Sequence, residues 1–142
     1  MLIYTLNFLL AVLIGSMIFF MAVVSPSVFA TLSTNASNKF LRTIFPRMFL
    51  FGLIIAVLSL VLSYISSNIL NSILLIIVAI SFIINRNYLT HKINDFRDKE
   101  LKGDKKASSS FKYLHLLSVL LFVLNFFILI GILINNYFNY NL

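Results

Sequence analysis

Near the end of the chain, polar side chains recur at spacings that place them on one face of a helix. His115, Ser118 and Asn125 share this face with Phe122, within about 80° of arc at about 100° per residue. Polar groups on a membrane helix normally face the interior of a bundle, because exposure to lipid costs free energy. The pattern supports two interpretations: a ligand-binding site, or polar contacts that hold helices together.

A histidine in this position could also bind a haem iron or a quinone. Two histidine ligands to haem would require His91 to converge on His115, and we predict that His91 lies on a solvated helical extension. Metal sites need several ligands, and the chain contains no cysteine. We therefore expect no metal site and no resident cofactor, with haem bound through His115 as the alternative.

Two arginines, Arg42 and Arg47, lie where the first apolar stretch ends. In residues 38–47 the apolar side chains share one helical face and the basic ones lie on the other. This pattern is typical of an amphipathic turn at the membrane interface, and we expect it to lead into a second helix beginning at Pro46. We expect both arginines to bind lipid phosphates. An anion site at the end of the bundle is the other interpretation.

Catalytic groups are scarce. The four acidic residues all lie in one charged connection, so no carboxylate is available inside the membrane for a proton relay. Nucleotide-binding, zinc-protease and serine-hydrolase motifs do not occur in the sequence. The sequence therefore favours a non-enzymatic protein.

The composition identifies the environment in which these residues work. Of the 142 residues 61% are hydrophobic and 11% are charged, and the mean hydropathy is +1.02. Soluble domains are about 25% charged, so soluble enzymes, disordered tails and secreted disulfide modules are excluded. The net charge of +7 does not indicate nucleic-acid binding, because the basic residues lie between apolar runs, as in membrane proteins.

The charge-free stretches 1–38, 48–85 and 113–142 define the membrane spans. A span needs about 20 apolar residues, and the polar cluster around Ser66 and Asn68 divides the middle stretch into a hairpin. We predict an all-α, polytopic membrane protein that forms one domain over residues 1–142, a bundle of four transmembrane helices. The helices are predicted at about 2–32, 46–65, 69–102 and 111–134.

Small residues and prolines are expected to shape the packing. Ala11, Gly15, Ala22 and Pro26 form one stripe on the first helix, which predicts close helix packing, with a substrate-lining groove as the alternative. Pro26 lacks a backbone donor and is the predicted kink. Pro46 is expected to open the second helix.

The third connection has structure of its own. Asp95–Lys99 and Asp98–Lys102 have the spacing of favourable helical ion pairs, so the third helix is predicted to extend beyond the membrane to Lys102. Gly103 is the expected C-cap. Residues 105–110 are predicted as a flexible loop, with Ser110 as the N-cap of the fourth helix.

All 11 basic residues lie in the first and third connections. The positive-inside rule therefore predicts that both connections are cytoplasmic and that both termini are extracytoplasmic. We expect a multi-pass protein of the cell membrane, the inner membrane if the source is bacterial. Its first partner is the lipid bilayer, and it does not bind nucleic acid.

Several segments together resemble a known family. They are Gly15–Phe20, Ser25–Phe29, Ile44–Phe49 and Phe111–Ser118, with Asn125 following. They resemble the transmembrane-protein-205-like family, known in bacteria as domain of unknown function 4149. The resemblance implies a four-helix membrane fold and no settled activity. The positions that match the family pattern are Pro26, Phe29, Pro46, Arg47, His115, Ser118 and Asn125.

Three functional hypotheses follow. The first is a non-enzymatic protein of small-solute transport, permeability or membrane assembly, acting as an oligomer. The second is a membrane oxidoreductase or redox carrier that binds haem or quinone through His115. The third is a structural subunit that packs on a larger complex through the stripe of small residues on its first helix.

Overall fold

A computed structural model describes residues 1–141, and these residues are helical with short connections and no strand. All four helices are long and apolar enough to cross a membrane. This confirms the predicted all-α, four-helix membrane fold. The helices are α1 (Leu2–Thr31), α2 (Thr34–Ile65), α3 (Ile69–Leu101) and α4 (Lys105–Asn141).

The predicted hairpin between the second and third spans is present. Ser67 turns the chain with a positive φ of 57°, and Asn68 caps α3 by accepting a hydrogen bond from the backbone N–H of Asn71 at 3.1 Å. The side chains that compete for backbone hydrogen bonds thus end one helix and start the next. We call this end of the bundle, which also carries both termini, the hairpin end. The opposite end, which carries the basic connections, is the charged end.

α2 begins at Thr34, well before the predicted start at Pro46. No proline or glycine interrupts residues 34–45, and Ser37 is buried at the turn from α1, where its hydroxyl donates to the carbonyl of Ser33 at 3.0 Å. Pro46 therefore lies inside the helix, where it cannot donate to the carbonyl of Arg42. The stretch predicted as an amphipathic interfacial turn is the first part of α2.

α4 is longer than predicted at both ends. The side chain of Asp104 accepts from the backbone N–H groups of Lys106 at 2.9 Å and Ala107 at 3.2 Å, so Asp104 takes the capping role predicted for Ser110. The segment predicted as a flexible loop is consequently helical. The predicted end of the third helix agrees with the structure: α3 extends to Leu101, and Gly103 follows it with the positive φ of +95° expected of a C-cap glycine.

Two π turns interrupt the regular hydrogen bonding of the helices. One spans Phe20–Val24 in α1 and ends at a bond from the N–H of Ser25 to the carbonyl of Phe20. The other spans Asn85–Leu89 in α3. The first directly precedes Pro26, whose missing N–H accounts for the change in bonding. The irregularity predicted from Pro26 therefore takes the form of a π turn.

The predicted stripe of small residues does not pack inside the chain. Ala11, Gly15, Ala22 and Pro26 are all exposed on the outer surface of α1. A Cβ atom added at Gly15 would meet no heavy atom within 4 Å. The close approach is between α2 and α3: a Cβ on Gly52 would lie 2.7 Å from Cζ of Phe82, so any larger residue would have to displace this buried ring.

At the hairpin end, asparagine side chains join three helices. The amide of Asn136 on α4 donates to Oδ1 of Asn7 on α1 at 2.7 Å, and the amide of Asn71 on α3 donates to Oδ1 of Asn136 at 2.6 Å. Asn71 and Asn136 are fully buried. A buried amide in hydrocarbon has no water to bond, so these contacts fix the helices relative to one another.

We expect Asn136→Leu to lower the free energy of unfolding by about 1–3 kcal/mol, because it leaves Oδ1 of Asn7 without its donor and the side-chain amide of Asn71 without its acceptor. Unfolding in mixed detergent micelles measures this change. Asn139→Leu is the matched control, since Asn139 is exposed and donates to Asn135 within α4. Equal effects of the two substitutions would contradict the proposed role of the asparagine cluster.

Candidate functional site

The charged half of the bundle contains a cavity of about 420 Å³ that all four helices line. This volume lies within the range of about 300–1,000 Å³ that is usual for small-molecule sites. The lining residues come from α1 (Phe20, Met21, Ser25, Phe29), α2 (Asn38, Leu41, Arg42, Phe45, Met48, Phe49), α3 (Thr90, Ile93, Asn94, Arg97) and α4 (Phe111, His115, Ser118, Val119, Phe122, Val123).

Aromatic rings form the inner part of the cavity. Phe45 contacts Phe20 with ring centroids 5.3 Å apart and Phe49 at 6.0 Å, and Phe49 contacts Phe122 edge-on at 6.3 Å. These offset and edge-on arrangements are favourable for aromatic pairs. Because these rings come from α1, α2 and α4 and contact one another, the apolar part of the cavity has a defined shape.

The path of α1 determines where the cavity opens. Before its π turn α1 packs against α4, but the π turn and Ser25–Thr31 make no close backbone contact with α4. Phe29 on one side of this gap is 66% exposed, and Val119 on the other side is 43% exposed. Both side chains also line the cavity, so the cavity reaches the surface of the bundle between the end of α1 and α4.

A stack of three side chains lies at the charged end of the cavity. The guanidinium of Arg97 sits 5.1 Å from the centre of the Phe111 ring, and that ring stacks on His115 with centroids 5.8 Å apart. Glu100 accepts from Arg97 at 2.6 Å and from Ser108 at 2.7 Å. Cation–π and charge-assisted contacts thus hold the Arg97 guanidinium at the cavity.

The second guanidinium at the cavity belongs to α2. Arg42 forms a bidentate ion pair with Asp98 of α3, with Nη1 3.1 Å from Oδ2 and Nη2 bonded to Oδ1. The ion pairs in the described chain, Arg42–Asp98 and Arg97–Glu100, differ from the predicted Asp95–Lys99 and Asp98–Lys102. A planar guanidinium binds a carboxylate through two parallel bonds, which an ammonium cannot do.

Ser118 lines the deeper part of the cavity and bonds to the first residue of the second π turn, Asn85. Its hydroxyl donates to Oδ1 of Asn85 at 2.6 Å, and the hydroxyl of Thr90 donates to the backbone carbonyl of Asn85 at 2.7 Å. Asn85 is fully buried, and its amide nitrogen has no partner. Ser118 therefore joins α4 to α3 at the point where α3 departs from regular helix.

The predicted polar face of α4 divides into two parts. His115 and Ser118 line the cavity, whereas Asn125 is fully buried outside it, with neither side-chain polar atom bonded. Arg42 also lines the cavity, but Arg47 is exposed and does not. The structure thus brings Arg42, His115 and Ser118 to one site and leaves Arg47 and Asn125 apart from it.

Sequence reasoning missed Arg97, Asn85 and the aromatic lining. Arg97 lies one turn from Glu100, a spacing that indicates an ion pair, but nothing in the sequence shows that the pair faces α4. Asn85 ends a charge-free stretch, so its position resembles that of an interfacial residue. Its pairing with Ser118 depends on the π turn, which has no sequence signature of its own.

The cavity offers groups that can bind a ligand. Its lining contains guanidinium, imidazole, hydroxyl and amide groups but no carboxylate and no thiol. Within residues 1–141, no cluster of three or more histidine, aspartate or glutamate side chains could hold a metal ion. His91 is exposed and does not line the cavity.

One comparison with known proteins finds a match. The family model described as a domain of unknown function (DUF4149) matches residues 8–102, which extend from the start of α1 to the end of α3. Pro26, Phe29, Pro46 and Arg47 lie inside this match, and His115, Ser118 and Asn125 lie beyond it. No curated protein and no solved structure matches the chain.

We expect Ser118→Ala to lower the free energy of unfolding by about 1–2 kcal/mol, because it leaves Oδ1 of Asn85 without a donor. In the Asn85→Leu background, Ser118→Ala should lower the free energy of unfolding by much less. The double-mutant cycle measures this coupling. Ser16→Ala is the control, since the Ser16 hydroxyl bonds within its own helix; an equal cost of Ser118→Ala in both backgrounds would refute the interhelical bond.

Proposed function

The chain belongs to the family of this domain of unknown function (DUF4149), and we propose that it is a non-enzymatic integral membrane protein that binds a small amphiphile in the cavity. The binding would serve transport or permeability across the membrane. The observation that carries the proposal is the 420 Å³ cavity, which all four helices line with aromatic rings inside and guanidinium groups at one end.

Two features favour a ligand that enters from the bilayer. The gap between the end of α1 and the start of α4 exposes Phe29 and Val119 on either side of the cavity. The polar groups lie at the charged end, where lipid headgroups would also lie. An amphiphile could therefore bind without its polar end crossing the hydrocarbon layer, which avoids a large desolvation cost.

The π turn of α1 supports the same function. π turns occur often at functional sites, because they shift side chains out of regular register at a local cost in hydrogen bonding. Here the turn separates the end of α1 from α4 and creates the opening. The irregular backbone thus has a direct consequence for access to the cavity.

A second candidate function rests on His115, which lines the cavity and stacks on Phe111. An imidazole beside aromatic rings suits a haem or a quinone. The third candidate is assembly with a second copy or a membrane partner. The exposed stripe that includes Gly15 and Ala22 favours it, because small residues allow close helix contact in lipid.

We expect native mass spectrometry of the gently solubilised protein to show a retained amphiphile that Val123→Trp removes, because the indole fills the cavity. Val57→Trp, on the exposed side of α2, should keep it. The proposal is wrong if the wild-type protein carries no retained molecule, or if both variants keep it equally.

The same sample separates the other two candidates. A visible haem band or a quinone mass that disappears in His115→Ala would establish the redox function in place of the proposed one. A copy number above one in the native spectrum supports assembly with a second copy, and a purely monomeric protein in native membranes and in solution contradicts it. A different chain that co-purifies, and that Gly15→Leu removes, would instead support assembly with a membrane partner.

We also propose that the charged end faces the cytoplasm, because it carries all 11 basic residues. The chain has no cysteine, so single cysteines report orientation. An impermeant thiol reagent on intact cells should label Ser67→Cys at the hairpin end and should label Lys106→Cys only after permeabilisation. The reverse pattern would contradict the orientation.

A further inference from the structure

We infer that the ligand of the cavity is an anionic amphiphile, whose carboxylate or phosphate headgroup binds Arg42 by replacing Asp98. This inference rests on the proposed function and specifies the class of molecule that the cavity accepts. It follows from the distribution of charge around the cavity, the exposure of the Arg42–Asp98 pair and the position of the aromatic rings.

The lining of the cavity has charges of one sign. Arg42 and Arg97 supply two guanidinium groups to it, and no carboxylate lines it, although the four acidic residues of the chain all lie at this end. Asp98 and Glu100 pair with Arg42 and Arg97 but do not line the cavity. A bound molecule therefore meets hydrogen-bond donors and positive charge, which complement a carboxylate or a phosphate.

Arg42 and Arg97 are held in different ways. Arg97 pairs with Glu100 on its own helix, and the Phe111 ring below it fixes its position. Arg42 pairs with Asp98 on a different helix, so this pair links α2 to α3 across the charged end. Separation of Arg42 from Asp98 frees a guanidinium that already lines the cavity, without disturbing the Arg97 stack.

The Arg42–Asp98 pair is accessible enough to exchange. The side chain of Arg42 is 33% exposed and that of Asp98 is 51% exposed. An ion pair so open to solvent contributes little stability, because water solvates both charges and salt screens them. A ligand anion can bind the guanidinium in the same bidentate geometry, and Asp98 then returns to water at small cost.

The aromatic rings determine where the rest of the ligand lies. Phe45 is one turn from Arg42 on α2, and the ring cluster of Phe20, Phe45 and Phe49 continues toward the middle of the bundle. A headgroup on Arg42 therefore places its hydrocarbon chain against these rings, where burial of apolar surface adds to the affinity. A free inorganic anion would gain only the ionic contribution to the binding free energy.

The test is equilibrium binding of radiolabelled palmitate, phosphatidic acid and inorganic phosphate to the purified full chain in neutral detergent. Arg42→Gln should weaken binding of palmitate or phosphatidic acid by about tenfold, because a charge-assisted bidentate contact is lost. Arg47→Gln removes the same charge from the exposed side of α2 and should change binding by less than about twofold.

Asp98→Asn is the more decisive variant, because it removes the competing carboxylate and should tighten binding by about three- to tenfold. A gain in affinity cannot result from misfolding. Asp95→Asn is the control: Asp95 is also exposed on the same helix and acts on Arg42 only through space, so its loss should change binding much less than the loss of Asp98.

The remaining outcomes overturn the inference. Equal weakening by Arg42→Gln and Arg47→Gln would show general surface attraction, and weaker binding in Asp98→Asn would show that the ion pair only maintains the cavity. Inorganic phosphate binding as tightly as the two lipids would exclude an amphiphile. If no probe binds while native mass spectra retain a neutral molecule that Val123→Trp removes, the headgroup inference fails and the proposed function stands.

Discussion

Hydrocarbon offers no hydrogen-bond partner, and the rest of the structure depends on this constraint. Polar side chains between the helices are stabilised where they bond to one another, and at the hairpin end Asn7, Asn71 and Asn136 do so across α1, α3 and α4. Ser118 and Asn85 form a second contact nearer the charged end. The bundle is thus fixed at the hairpin end, and α1 is in close backbone contact with α4 before its π turn and not after it.

The charged end is organised differently because water and headgroups are available there. After the π turn that precedes Pro26, α1 makes no close backbone contact with α4, and aromatic rings line the cavity at this end. Arginines occupy its outer end, each held by a carboxylate that lies outside the cavity. One half of the molecule is therefore joined by asparagine side chains, and the other half contains the cavity.

The sequence was sufficient for the number, order and approximate position of the helices, because charge-free stretches and the Ser66–Asn68 cluster mark them directly. The predicted starts of α2 and α4 were wrong because Pro46 and Ser110 have strong local preferences that longer-range packing and the Asp104 cap override. Of the predicted site, Arg42, His115 and Ser118 meet at the cavity. Arg97 and Asn85 could not be assigned, since their contacts depend on which way α3 faces after its π turn.

The central claim is that the space between α1 and α4 at the charged end is a binding site for an amphiphile. An experimental structure of the protein in nanodiscs of native lipid tests it most directly. We predict elongated density against Phe45 and Phe49 that ends at Arg42, with Asp98 moved away from the guanidinium. A cavity closed by side chains, or filled only with water while the Arg42–Asp98 pair stays intact, would contradict the claim.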